Sequence, residues 1–164
     1  MTRQAQLVVL ADEAFSKMTD ESSPEGIITV CASLPGIVAL DKGCEDVLSG
    51  DTEKSTLMLE SVRDTGNMGT IIRSARAFGI DRLVISSDCA DLYNPKTVRS
   101  AMGALFRINA WSCTLEELCP VLKRADLPLL GAALRSDTID AREADLRNAV
   151  MLIGSEGRGL SEAA

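Results

Sequence analysis

Thr56-Leu57-Met58-Leu59, then Glu60-Ser61-Val62-Arg63-Asp64-Thr65-Gly66, then Asn67-Met68-Gly69-Thr70-Ile71-Ile72-Arg73: a short apolar run, a polar turn and an amphipathic stretch follow one another without a break. The first run has the length and composition of a buried strand. Met68, Ile71, Ile72 and Ala75 recur at helical spacing, so residues 68–78 read as a helix with Asn67 as its cap. Strand, turn and helix make the first half of a βαβ unit.

The same alternation continues downstream. Strand-length runs at residues 82–85, 106–111, 127–133 and 150–153 are separated by helical stretches at 95–105 and 115–124. Asn94-Pro95 supplies a cap and a first-turn proline for the second helix. Its inward stripe is Val98, Ala101, Met102 and Leu105, and Gly103 is its terminator. Thr114 with Glu117 forms a capping box for the third helix, and Pro120 inside it predicts a kink or a late start. The fold class expected is therefore α/β, a mostly parallel sheet with helices on both faces. Upstream, Leu7, Leu10, Ala14, Phe15 and Met18 predict an amphipathic helix over residues 2–18, and residues 26–32 a β-branched strand. Residues 34–54 contain Pro35, three glycines and clustered acids without periodicity, and read as a connection with at most one short helix. The domain boundary is placed there, at 54/55.

Composition narrows the chemistry. The chain has 164 residues, 46% hydrophobic and 25% charged, enough for one core plus an appendage. No apolar run approaches the ~20 residues needed to span a bilayer, and the first 19 residues lack a signal-peptide pattern, so a cytoplasmic protein with no membrane partner is expected. The five cysteines are scattered without a C-x-x-C pair and read as buried, reduced thiols rather than metal ligands or disulfides. Histidine is absent, which removes Ser-His-Asp and Cys-His hydrolysis and the ordinary neutral-pH proton shuttle. The net charge of −7 is uneven: residues 1–60 carry 4 basic and 11 acidic side chains, residues 61–164 carry 13 of each. Eleven of those 13 basic residues are arginine, suited to two-pronged recognition of phosphate and carboxylate, although surface arginines are the plain alternative.

Ligands of parallel α/β sheets gather beyond the carboxyl ends of the strands. The loop at residues 63–67 lies there and should present Asn67; Arg73, four residues after Gly69, leans back toward the same end. A second string, Ile153-Gly154-Ser155-Glu156-Gly157-Arg158-Gly159, also follows a strand, and its three glycines imply sharp turning or close backbone approach. It is not a phosphate loop, because Leu160 stands where the lysine belongs and Glu156 would repel phosphate. A neutral or cationic adenosine-type ligand fits it better.

Together, Asn67-x-Gly69-x-x-x-Arg73, the segment Arg99 to Leu105 and Gly154-Ser155-Glu156-Gly157-x-Gly159 resemble, in order, the SpoU-type branch of the SPOUT RNA methyltransferases. That resemblance implies an α/β-knot fold and transfer of a methyl group from S-adenosyl-L-methionine to a ribose 2′-hydroxyl of rRNA or tRNA, without a metal, by a homodimer. It carries Arg73 over as the residue that eases ionisation of the hydroxyl, with Asn67 and Glu156 positioning it. It places the donor's adenosine against Ala133, Leu134, Ile153 and Gly154. It also implies that residues 1–54 are the end of a substrate-binding domain plus an acidic linker, and that residues 55–164 lack the family's C-terminal Ser-Leu-Asn motif and its knot. A non-catalytic RNA-binding or dimerisation remnant of the same fold is the alternative expectation, with an unrelated nucleotide-binding protein behind it.

Overall fold

The computed structural model describes residues 6–34, 37–38, 55–80, 82–136, 138–146 and 149–161. They fall in two compact units, Met1–Ser33 and Leu34–Ala164. In the first, helix α1 spans only Asp12–Ser16 and buries no residue. Residues 6–11, expected to be helical, are not, and the expectation for residues 2–5 lies outside the described residues. Helices draw most of their stability from packing an apolar face, and α1 buries no residue, Phe15 being only half-buried. The strand expected over residues 26–32 is absent; Ile27 and Val30 are 81% and 91% exposed.

The second unit carries a six-stranded sheet in the order β1-β4-β3-β2-β6-β5, built from Ile37–Val38, Thr56–Leu59, Arg82–Ile85, Asn109–Ser112, Leu129–Gly131 and Val150–Ile153 as β1 to β6. Every pairing between these strands is parallel. β1 falls in the stretch read as a connection. The two faces separate by the two-residue period of a strand: Leu57, Leu59, Leu83 and Ala110 join one core, and Met58, Val84, Val150 and Leu152 the other. Helix α2 (Thr65–Ala77) supplies the first core through Met68, Ile72 and Ala75, and Ala101, the residue that closes helix α3 (Pro95–Ser100), joins them. Helix α4 (Leu115–Arg124) covers the opposite face with Leu118, Val121 and Leu122.

Several local readings are corrected. The cap of α2 is Asp64, whose carboxylate accepts from the Asn67 backbone N–H at 2.7 Å, so the helix begins ahead of Asn67. α3 ends at Ser100, because Met102 and Gly103 take φ of 50° and 81°; a 3-10 turn, Ala104–Arg107, follows. Met102 therefore points outward, 74% exposed. The strands expected over residues 106–111 and 127–133 shorten, since that 3-10 turn occupies the start of one and Pro128, without an N–H, opens the other. α4 has its capping box and starts on time despite Pro120. Among the cysteines, Cys31, Cys89 and Cys119 carry free thiols, but Cys31 is exposed and Cys113 is disulfide-bonded, against the reading of buried, reduced thiols throughout.

Candidate active site

The strand order brings β2 and β6 together although nearly a hundred residues separate them in sequence, and their carboxyl-end loops face each other. Between the loops lies a cleft of about 250 Å³. Residues 61–64 and Asn67 form one wall, and residues 155–158 the other.

Each wall has a structural reason for its shape. On the β6 side, the Ser155 and Gly159 backbones bond each other both ways, at 3.1 and 2.9 Å, closing a tight loop with Glu156, Gly157 and Arg158 at its tip. Gly159 holds φ +68°, and a Cβ on Gly154 would overlap the Gly159 carbonyl, so both positions need glycine. Leu160 then turns into the second core beside Gly131. Glu60 secures the loop at both ends. Its backbone N–H donates to the Ile153 carbonyl at 2.9 Å, and its carboxylate accepts from the Ser161 N–H at 2.8 Å.

On the β2 side, because Asp64 caps the helix, the Asn67 side chain is left available. Its amide donates across the cleft to a Glu156 carboxylate oxygen at 3.2 Å. Two residues read separately from two motifs are thus in contact.

Arg73 stands elsewhere. Six residues along α2 from Asn67 it lies about 9 Å further on and about 120° around the helix, exposed and off the cleft wall. Ile153 and Gly154 form the half-buried root of the β6-side wall. Ala133 and the fully exposed Leu134 follow β5, on the far side of β6, and do not line the cleft. Gly69, the central residue of the first motif, serves packing: a Cβ there would run into Ser100 and the Thr97 carbonyl of α3.

Sequence reasoning missed a polar cluster at the cleft edge. Asp88, after β3, accepts from the Ser86 hydroxyl at 2.6 Å, the Ser61 hydroxyl at 2.7 Å and the Arg63 guanidinium at 2.8 Å. These donors, the Ser86 hydroxyl foremost, hold its carboxyl well below the usual carboxylate range. Ser61 takes φ 57°, a strained value for a residue with a Cβ, while its N–H donates to Ser86 Oγ at 2.9 Å. The signal available was the rule that placed the other loops: Asp88 too follows the carboxyl end of a strand.

Comparison with known proteins places this geometry. A 23S rRNA (guanosine(2553)-2′-O)-methyltransferase, RlmP, of Bacillus subtilis (strain 168) is 32% identical over 158 residues, which cover 96% of this chain and 59% of that protein. An rRNA methyltransferase structure from Sinorhizobium meliloti superposes with a TM-score of 0.75 at 26% identity, over 93% of this chain and 57% of that one. The SpoU methyltransferase AviRb from Streptomyces viridochromogenes, in complex with the cofactor AdoMet, superposes with a TM-score of 0.64 at 32% identity, over 72% of this chain and 49% of that one. The chain thus spans about half to three-fifths of these relatives. The sequence model of the SpoU rRNA Methylase family matches residues 54–164, from just ahead of β2 through both walls of the cleft, and the chain belongs to that family.

Proposed function

We propose that this chain supplies the catalytic cleft of an enzyme that transfers a methyl group from S-adenosyl-L-methionine to a ribose 2′-hydroxyl of rRNA or tRNA. The observation that carries the reading is the Asn67–Glu156 hydrogen bond, which joins the two family motifs across one cleft at 3.2 Å. In the step envisaged, the ribose oxygen attacks the donor methyl carbon, the carbon–sulfur bond breaks with its electron pair going to sulfur, and the hydroxyl proton passes to water. The sulfonium is already a good leaving group, so the protein's task is alignment and stabilisation of the developing alkoxide. Asn67 and Glu156 orient the hydroxyl, and Arg73, which stands off the cleft wall, is assigned by the family motif to lowering the cost of its ionisation once RNA is bound. The adenosine of the donor lies against Ile153 and Gly154, with Ala133 and Leu134 at its far side. No step calls on a metal.

The working form is a homodimer in the cytoplasm. Phe78 after α2, and Met102 and Phe106 after α3, expose apolar side chains that a second copy could bury. Among the described residues no helix is long and apolar enough to cross a membrane.

The test uses the full-length protein with labelled S-adenosyl-L-methionine and bulk rRNA and tRNA. Label should enter RNA as 2′-O-methyl nucleotides, recognised by a phosphodiester bond resistant to alkali. Arg73→Ala and Glu156→Ala should each reduce transfer on the order of a hundredfold or more with the fold intact. Methylation of a base instead of a ribose, or full transfer by Arg73→Ala, would overturn the reading.

A further inference from the structure

We infer that Arg63 is an RNA-binding residue of this cleft, contacting a phosphodiester beside the methylated ribose, and that Asp88, Ser86 and Ser61 hold its guanidinium in place for that contact. The inference rests on the proposed function and adds to it a subsite absent from both family motifs. Arg63 lies on the same wall as Asn67, within the loop that enters α2. Among the described residues its one partner is an Asp88 oxygen, which accepts from Nη2 at 2.8 Å. The rest of the fork faces outward from a side chain 62% exposed. An arginine held at one nitrogen still has two adjacent donors for a phosphate, and it loses less side-chain freedom on binding than a free one.

The mount itself is built beyond what a surface ion pair requires. Asp88 is fixed by both serines as well as by Arg63, and Ser61 adopts its left-handed backbone within that arrangement. An ordinary exposed pair is worth little and needs no such support. The other charges on the walls are Asp64, Glu156 and Arg158. Glu156 is engaged by Asn67; Asp64 is engaged by the Asn67 N–H and lies 3.9 Å from Lys96; Arg158 stands exposed on the facing wall. The charged residues described at the cleft are thus Arg63 and Arg158 with Asp64 and Glu156; Asp64 is offset by Lys96, Glu156 keeps its charge on the facing wall, and the ligand that fits Arg63 at the Asp88 corner of a cleft holding a ribose is the strand's own phosphate.

The experiment measures binding of a short mixed-sequence oligoribonucleotide to the full-length protein across a salt series, with S-adenosyl-L-methionine binding recorded in parallel. Arg63→Ala should weaken RNA binding on the order of tenfold and reduce the slope of log K against log salt by about 0.7, the value for one single-strand phosphate contact, leaving donor binding as in the wild type. Arg63→Lys should restore most of the slope and little of the affinity, because a point charge lacks the fork. Asp88→Ala separates positioning from charge. Removal of a negative charge alone would tighten RNA binding; loss of the mount should weaken it a few-fold. Unchanged affinity and slope in Arg63→Ala, while Arg73→Ala still abolishes transfer, would overturn this inference and leave the proposed function standing. Tighter binding by Asp88→Ala would overturn the mount. A wild-type protein without salt-dependent RNA affinity would defeat both readings together.

Discussion

Replacing Gly69 by alanine should destabilise the protein although the substitution improves helix propensity. The added Cβ would lie 2.5 Å from the Thr97 carbonyl oxygen and 2.7 Å from the Ala101 nitrogen, against an ordinary contact starting at 3.4 Å. The shortfalls are 3.4 − 2.5 = 0.9 Å and 3.4 − 2.7 = 0.7 Å, both against backbone that cannot rotate away. Ser100 Oγ, also in the path, is held by the Lys96 carbonyl at 2.6 Å. α2 and α3 must therefore part by a good fraction of an ångström, loosening Met68, Ile72 and Ala101 in the first core. Overpacking of this kind costs roughly 1–3 kcal/mol, and contact with backbone places it at the upper end. Alanine returns about 1 kcal/mol through helix propensity, leaving a net loss of about 2 kcal/mol, or roughly 4–8 °C in Tm for a unit of this size. Gly66→Ala is the control. Its Cβ would press on no backbone among its nearest neighbours, meeting the capping oxygen of Asp64 at 3.0 Å and the end of Lys96 at 3.6 Å, so its Tm should fall less than that of Gly69→Ala. Thermal unfolding of both variants followed by circular dichroism decides the matter. If Gly69→Ala melts no lower than Gly66→Ala, the close approach of α2 to α3 is not what fixes glycine at this motif position.

Three further perturbations test the site and its supports. Glu60→Ala removes the carboxylate that receives Ser161 N–H and should lower methyl transfer several-fold by loosening the loop that carries Glu156, while Glu60→Gln, which keeps an acceptor, should recover most of the rate; equal rates in the two would argue against the bracket. Thr114→Ala breaks the capping box of α4 and should cost about 1 kcal/mol, read as a lower urea midpoint with unchanged slope; no change would mean the box contributes nothing. Asp88 has a folded-state pKa below its unfolded value of about 3.9, so its contribution is complete above about pH 4 and lost as the pH falls further. The stability difference between wild type and Asp88→Ala should therefore shrink between pH 7 and pH 3. It should be small throughout, since the carboxylate is 39% exposed and screened by salt, and a difference that grows in acid would contradict the network.

What could be read from the sequence divides along the range of the forces involved. β2, β3, β6 and α4 match their expected bounds because each carries its own signal: a short apolar run with definite ends, or a capping box. The two-residue β1 is too short to show a period. Residues 26–32 looked like a strand because composition reports the propensity of a segment and not whether a neighbouring ladder accepts it. The site divides the same way. Asn67 and Glu156 were each legible within a motif, but their contact follows from the adjacency of β2 and β6, which only the sheet order supplies. The Asp88 cluster joins two loops, Ser61 and Arg63 after β2 and Ser86 and Asp88 after β3, so the strand-end rule marked its place but no local pattern named its members.

The misread cap of α2 carries the most consequence. Asparagine at a helix start usually spends its side chain on the helix's own amides. Here Asp64 takes that work from the Asn67 N–H, so the Asn67 amide is free to cross the cleft to Glu156. Capping the helix and reaching Glu156 are competing uses of one side chain, and the chain separates them by placing an aspartate three residues ahead. Asp64→Ala should therefore damage more than helix stability: the Asn67 side chain would be drawn toward the unsatisfied amides, and methyl transfer should fall further than the loss of a cap explains. Asp64→Ser, which restores a cap without the charge, should recover both stability and transfer. Recovery of stability alone would show that the aspartate acts on the cleft directly and not by releasing Asn67.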